Sequence, residues 1–111
     1  MDGVVPTLGR VVQYRLSADD AEQINRRRTN GHKIRERMEL DPPQWPAGAQ
    51  AHIGNEAKEG QAVPMLIVAV WGDTPTSAVN GQAFLDGNDV LWVTSVAVGE
   101  GPRTYSWPTR S

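Results

Sequence analysis

The residues best suited to chemistry are cations grouped in one short segment. Six of the eleven lysines and arginines lie between Arg26 and Arg37, and His32 lies among them. Guanidinium groups bind phosphate and carboxylate oxygens in pairs, so this segment is a candidate anion site. Consecutive helical residues point about 100° apart, and at most two of Arg26, Arg27 and Arg28 can therefore face one ligand. The alternative is a solvated helix whose cations match its dipole.

Tryptophan is the second chemical signal, because the chain has four tryptophans and one phenylalanine. The flat tryptophan ring stacks on a base or a ribose. Trp71 and Trp92 lie in apolar runs and are expected to close the core, although Trp92 is kept as a stacking candidate. Trp45 and Trp107 each precede a proline and are candidates for a contact surface.

Neither catalysis nor metal binding is predicted. The two histidines, His32 and His52, have no carboxylates at ligand spacing, and the chain has no cysteine. Ser95, His52 and Asp86 could form a triad on paper, but no nucleophile elbow accompanies them. There is no phosphate-binding loop of the P-loop or G-x-G-x-x-G type. We therefore expect a protein that is not an enzyme and has no cofactor.

Charge and hydropathy limit the partners. The net charge is −2, yet residues 1–37 carry +3 and residues 38–111 carry −5. A basic half on an acidic protein points to a local anionic partner rather than to general nucleic-acid coating. No apolar run approaches the roughly 18 residues of a membrane span, and the N-terminus lacks the pattern of a signal peptide. We expect a soluble intracellular protein without a membrane partner.

The elements that position these residues can be read from periodicity and turn residues. Gly9–Leu16 alternates as a half-buried strand. Ser17 at the N-cap and Asp20 three residues later predict a helix start, and Asn30-Gly31 predicts its end after Arg28. A second short helix is predicted over His32–Leu40.

The remaining pattern predicts strands. Val63–Trp71 is the most apolar of them, and Val79–Val98 reads as a hairpin with Gly87-Asn88 central in a two-residue primed turn. Its second strand has two mostly apolar faces, which indicates cover by barrel closure or by a partner chain. Short strands are expected at Ala49–Ile53 and Tyr105–Trp107. The polar turns at Gly54-Asn55 and Asp86–Asp89 could present amides to a ligand or be ordinary turns.

These elements predict an α+β fold that is mainly β. It is a small SH3-like or OB-like antiparallel barrel with a helical insertion after the first strand, and the SH3-like form is favoured because the one long connection carries the helices. The expected organisation is a flexible arm at 1–8, one β-rich domain at 9–108 with the insertion at about 18–40, and a tail at 109–111.

Three stretches, INRRRTNG (24–31), WPAGAQAHIGN (45–55) and VNGQAFLDGNDVLWVTS (79–95), resemble a family of small proteins encoded by tailed phages of actinobacteria. The resemblance runs roughly from Gly9 to Pro108. It implies an accessory phage protein that works in the cytoplasm of the infected bacterial host. It implies no active site.

Our leading hypothesis is a non-catalytic anti-defence sponge. It would oligomerise with itself and sequester a phosphate-bearing, nucleotide-derived immune signal, such as a cyclic ADP-ribose-type molecule or a cyclic oligonucleotide. The arginines would hold phosphate, His52 and Asn55 the sugar or base edge, and Trp45 or Trp92 would stack. The predicted ligand-binding residues are Asn25, Arg26, Arg27, Arg28, His32, Trp45, His52, Asn55, Asp86, Asn88 and Trp92.

Two alternatives belong to other classes. One is a structural or interaction protein of the virion, such as a capsid or tail accessory, in which the apolar faces of the hairpin bury against a partner. The other is a small nucleic-acid-binding barrel, which predicts salt-dependent binding. The overall acidity places nucleic acid last among the expected partners.

Overall fold

The computed structural model describes residues 4–38 and 54–108, and within the helix it describes side chains as far as Arg28. Within these residues, five strands and one helix follow one another. They are β1 (Val11–Arg15), α1 (Ala18–Met38), β2 (Ala62–Trp71), β3 (Ala78–Phe84), β4 (Val90–Val98) and β5 (Thr104–Ser106). The predicted fold class is confirmed: the fold is mainly β, with one helix inserted after the first strand.

The strands form a closed barrel in the order β1-β2-β3-β4-β5. All neighbouring pairs are antiparallel except β4–β5, which is parallel and therefore departs from the wholly antiparallel arrangement expected from the sequence. The parallel pair follows from the short β5, which runs antiparallel to β1 and meets β4 only at Ala97 and Val98. This architecture is that of a small SH3-like or OB-like barrel.

Alternating side chains build the barrel core. Val12, Tyr14 and Leu16 follow the predicted period of two, and each is at most 1% exposed. Pro64 lies within β2 opposite Gln13, and the strand continues through it. The buried apolar side chains are Val12, Tyr14, Leu16, Ala21, Ile24, Ala57, Val63, Met65, Ile67, Val79, Ala83, Leu85, Leu91, Val93, Val96 and Tyr105.

The start of α1 is the predicted capping box. The Ser17 Oγ accepts a hydrogen bond from the Asp20 N–H at 3.0 Å, and the Asp20 Oδ2 accepts one from the Ser17 N–H at 2.9 Å. The buried Tyr14 hydroxyl also donates to Asp20. This bond ties the first turn of the helix to the inside of the barrel.

The predicted end of the helix is wrong. α1 continues through Asn30 and Gly31 to Met38, so the two short helices expected from the sequence are one. Glycine ends a helix where the chain turns into a left-handed conformation, but inside a helix it costs only about 1 kcal/mol relative to alanine. Arg26, Arg27 and Arg28 therefore lie near the middle of α1. At that position the helix dipole does not favour a positive charge, because its effect is confined to the terminal turns.

The predicted primed turn of the β3–β4 hairpin is also wrong. The strands end at Phe84 and resume at Val90, so the connection is the longer loop 85–89. The Gly87 N–H donates to the Leu85 carbonyl at 2.8 Å, and Gly87 does not adopt the positive φ that a type I′ turn requires. Gly87 instead forms an isolated antiparallel bridge with Gly54, so the loop is held by a contact with a residue that does not belong to the hairpin.

Two register shifts bend the sheet on either side of Gly81. One lies in the β2–β3 pairing after Ile67, and the other lies in the β3–β4 pairing beside Gly81. A Cβ at Gly81 would overlap the Met65 side chain. After the register shift beside Gly81, the Val96 side chain points into the barrel. It therefore lies on the opposite face of β4 from Val90, which is exposed.

Some predictions fall on parts of the chain outside the description. The expected strand at Ala49–Ile53, the end of the arm at 1–3 and the tail at 109–111 lie outside the described residues. Within the described part of the arm, Pro6 is fully buried. No helix in the ranges 4–38 and 54–108 is long and apolar enough to cross a membrane.

Candidate functional site

Arg28 forms a buried ion pair with Asp89, which joins α1 to the β3–β4 loop. Its Nη1 lies 2.9 Å from both carboxylate oxygens, and the two side chains are 7% and 3% exposed. A buried guanidinium requires a counter-charge, because desolvation of an unpaired charge costs several kcal/mol. Asp89 supplies it. Arg28, a predicted phosphate ligand, is therefore paired within the chain.

The Arg27 guanidinium is partly exposed to solvent. Its Nη1 donates to the Val90 carbonyl oxygen at 3.2 Å and lies 3.6 Å from an Asp89 carboxylate oxygen, and its side chain is 33% exposed. Asp89 carries one negative charge beside two guanidinium groups, so this group of three side chains has a net charge of +1. Since Arg28 is closer to both carboxylate oxygens, Arg27 is the less closely paired of the two arginines.

Arg26 points elsewhere, as expected for consecutive helical residues. Its Nη2 lies 2.8 Å from the Glu22 carboxylate one turn earlier, and both side chains are about two-thirds exposed, at 65% and 67%. A solvated pair of this kind contributes little to stability. Of the three consecutive arginines, Arg28 is therefore buried and paired with Asp89, Arg27 is partly exposed, and Arg26 forms an exposed pair with Glu22.

Two loops meet beside the ion pair. The Asn55 side-chain amide donates to the Asp86 carboxylate at 2.8 Å, and the Asn55 N–H donates to the Asp86 carbonyl at 2.9 Å. Next to them, a Cβ on Gly54 would lie 2.6 Å from the Gly87 Cα and 2.8 Å from an Arg28 nitrogen. Glycine is therefore required at position 54 by close approach of the backbones.

A third contact fastens the helix to the same loop. The Asn25 amide nitrogen donates to the Ala57 carbonyl at 2.9 Å, and the Ala57 N–H donates to the Asn25 amide oxygen at 2.8 Å. We call the residues of these three contacts the helix clasp. The helix clasp comprises Asn25, Arg28, Asn55, Ala57, Asp86 and Asp89.

The structure brings together predicted residues from three distant segments. Asn25, Arg28, Asn55 and Asp86 converge in the helix clasp, and Arg27 and the exposed Asn88 lie beside it. The polar groups of the clasp bond mainly to one another, so their arrangement serves to hold α1 on the barrel. Asp89 was missed by the sequence analysis, and its only signal was its place in the polar turn.

Trp71 and Trp92 are not core residues, contrary to the expectation. They are 62% and 61% exposed, and the Trp71 Nε1 donates to the Asn80 side chain at 3.1 Å. Trp92 alternates with the buried Leu91 and Val93 and therefore points outward. The aromatic rings inside the barrel are instead those of Tyr14 and Tyr105, both fully buried.

Trp92 belongs to an uncharged outer face of the barrel. The pairing register places Val11, Leu66, Gln82 and Trp92 in one row across β1, β2, β3 and β4. The next row contains the pairs Gln13–Pro64 and Phe84–Val90. We define the outer face as these eight residues: Val11, Gln13, Pro64, Leu66, Gln82, Phe84, Val90 and Trp92.

Arg27 lies at the border of the outer face, because its guanidinium is bonded to the Val90 carbonyl. Trp92 follows two residues later on the same side of β4. An exposed indole beside a partly exposed guanidinium can stack on a base and hold a phosphate. This combination is the candidate binding site.

Other features contribute less. The cavity lined by Arg28, Asn55 and Leu85 has room for about one water molecule, far below the size of a nucleotide. Arg28 Nε is buried there without a hydrogen-bond partner. Residues 4–38 and 54–108 contain no group of three metal-ligating side chains. Trp45 and His52 lie outside the described residues, as does the side chain of His32.

Trp107, a predicted contact residue, is half-buried and packs against the core. The Arg10 guanidinium lies 5.0 Å from its ring centroid, within cation–π range.

No protein-family model, curated protein or solved structure matches the chain.

Proposed function

We propose that this protein is a non-catalytic binding module for a phosphate-bearing, nucleotide-like ligand. The base stacks on Trp92 and the phosphate binds Arg27. The observation that supports this proposal is the partly exposed guanidinium of Arg27 at the border of a face whose tryptophan is 61% exposed. The helix clasp keeps the two groups in register by fixing α1 against the β3–β4 loop.

In the setting implied by the resemblance to actinobacterial phage proteins, such binding would sequester a nucleotide-derived immune signal in the host cytoplasm. Sequestration needs affinity and sufficient copies of the protein, but no reacting group. An exposed aromatic face with one cation at its border is suited to that task, because stacking tolerates different bases and the guanidinium binds any phosphate.

The test compares two neighbouring arginines. Purified protein is titrated with a panel of cyclic and linear nucleotides, and binding is followed by thermal shift and by quenching of tryptophan fluorescence. Arg27→Ala is expected to weaken binding at least about tenfold, since a hydrogen bond to a charged group contributes about 1.5–3 kcal/mol. Arg26→Ala is the matched control, because Arg26 is on the same helix but paired with Glu22. It should bind as the unmodified protein does.

A second substitution examines the stacking residue. Trp92→Ala should abolish the fluorescence response and weaken binding, while Trp71→Ala, at a similarly exposed tryptophan, should leave the affinity unchanged. The proposal fails if no phosphate ligand shifts or quenches the protein. Equal losses in the Arg26 and Arg27 variants would also contradict it, because a general charge effect would then explain binding.

A second candidate function is a structural or interaction protein of the virion. The exposed outer face favours it, since contiguous apolar surface marks protein interaction sites. Detection of the protein at fixed stoichiometry in purified particles would support this function. Its recovery only in the soluble fraction of infected cells would support the binding module.

A further inference from the structure

We infer that the outer face is the contact surface between two copies of this chain in a symmetric dimer. Four of its apolar members are exposed at 50% (Val11), 44% (Phe84), 42% (Val90) and 61% (Trp92). The two aromatic side chains alone present roughly 200 Å² of apolar surface to solvent. Contiguous apolar area of this kind is typical of an interface, whereas scattered single residues are not.

The chemistry of the face fits a second copy of itself. In a symmetric dimer the same patch is used twice, so any charge within it meets a like charge near the axis. The outer face contains no charged residue. Its two polar members, Gln13 and Gln82, carry amides that donate and accept hydrogen bonds, so each can pair with another glutamine. Charged residues lie at the border of the face, where an interface has its polar rim: Arg27 at Val90, Arg103 at Thr94, and Arg15 two residues after Gln13.

The alternative route to association, strand addition at a free sheet edge, is obstructed. β5 pairs with β4 only at Ala97 and Val98, so within residues 4–38 and 54–108 the first half of β4 has no strand neighbour on that side. Two arginines cap this stretch: Arg27 bonds the Val90 carbonyl at 3.2 Å, and Arg103 bonds the Thr94 carbonyl at 3.1 Å. Charged side chains on an edge are a common protection against strand pairing. Contact through the face is therefore favoured.

The dimer bears on the ligand site as well. Trp92 belongs to the outer face, so in the dimer a base can stack on Trp92 only where it lies between the two facing copies. This consequence rests on the proposed function. The dimer itself does not, and its test needs no nucleotide.

The test uses two valines on the same strand. Val90 and Val98 are exposed to similar extents, 42% and 39%, but only Val90 belongs to the outer face. Molar mass is measured by sedimentation equilibrium and by light scattering after gel filtration, from low to high micromolar protein, without ligand. The unmodified chain and Val98→Glu should show the dimer mass. Val90→Glu should show the monomer mass with an unchanged circular dichroism spectrum.

A gentler variant covers the case in which Val90→Glu does not fold. Gln82→Glu keeps the side-chain size and places one carboxylate at the centre of the face, so it should dissociate the dimer at neutral pH. The dimer should return as the pH falls below about 4.3, where the carboxylate becomes protonated.

Several results would overturn the inference. These are a monomeric unmodified chain at all concentrations, a dimer that survives both Val90→Glu and Gln82→Glu, or equal effects of the two valine substitutions. Loss of nucleotide binding in Arg27→Ala with the dimer mass retained would separate the two proposals.

Discussion

Burial changes the role of individual arginines in α1. Three consecutive residues of one type have three different environments: Arg26 is a solvated partner of Glu22, Arg27 a border cation, and Arg28 the buried partner of Asp89. The 100° step between helical residues predicts that they diverge. It does not predict which one is buried, because that depends on Asp89, 61 residues later in the chain.

The buried pair should dominate stability. Asp89→Ala leaves Arg28 in a buried site without its counter-charge, and the free energy of unfolding is expected to fall by about 3–5 kcal/mol. Urea denaturation monitored by circular dichroism measures the change. Glu22→Ala, which removes the exposed pair with Arg26, is the control and should cost less than about 1 kcal/mol. Similar losses in both variants would show that Arg28 is solvated when paired with Asp89.

Among the elements, α1 departs most from its local sequence signals. Ser17 and Asp20 set its start as predicted, because a capping box is made by residues three apart and needs no tertiary contact. Its end was mispredicted, because Asn30-Gly31 permits a left-handed stop without requiring one. The strands were easier to locate. Their alternation is a local pattern, and only the register shifts near Gly81 disturbed it in β4.

The continuity of α1 can be tested at Gly31. If this residue is inside a helix, Gly31→Ala should raise the free energy of unfolding by up to about 1 kcal/mol, since alanine is the better helix former. If the helix ends there with a left-handed glycine, the same change should destabilise the protein. Thermal unfolding by circular dichroism at the helical band gives the sign. Gly9→Ala is a useful comparison. Gly9 has a φ of 84°, so alanine at this position should lower the free energy of unfolding.

At the scale of the whole molecule, closure of the barrel depends on two tyrosines. Tyr14 and Tyr105 are fully buried; Tyr14 donates to Asp20, and the Tyr105 hydroxyl donates to the Ser77 carbonyl at 2.7 Å. Burial raises the pKa of both phenols, and for Tyr14 the hydrogen bond to Asp20 raises its pKa further. Each phenol therefore stabilises the fold only while it is neutral.

This environment predicts alkaline unfolding. Both folded pKa values are above the ordinary value of 10.0, so the contribution is fully present below that pH and is lost as the pH rises toward the folded pKa values. The free energy of unfolding should then fall by about 1.4 kcal/mol per pH unit for each tyrosine. Urea titrations at a series of alkaline pH values measure the slope. Tyr105→Phe should reduce that slope by about half, and an unchanged slope would contradict the prediction.

The sequence by itself determined the features that depend on neighbouring residues: the small mainly β barrel, the inserted helix with its capped start, and the concentration of arginine in that helix. Alternation, capping and turn chemistry act over a few residues, and they can be read from a chain before it folds. The tertiary structure decided which of those residues face solvent. Arg28 is neutralised by Asp89, Trp92 lies outside the closed barrel, and Arg27 remains as the cation beside it. These outcomes depend on contacts between segments far apart in the chain. The desolvation cost of a charged group depends on its burial, and burial is set only when those segments come together in the fold.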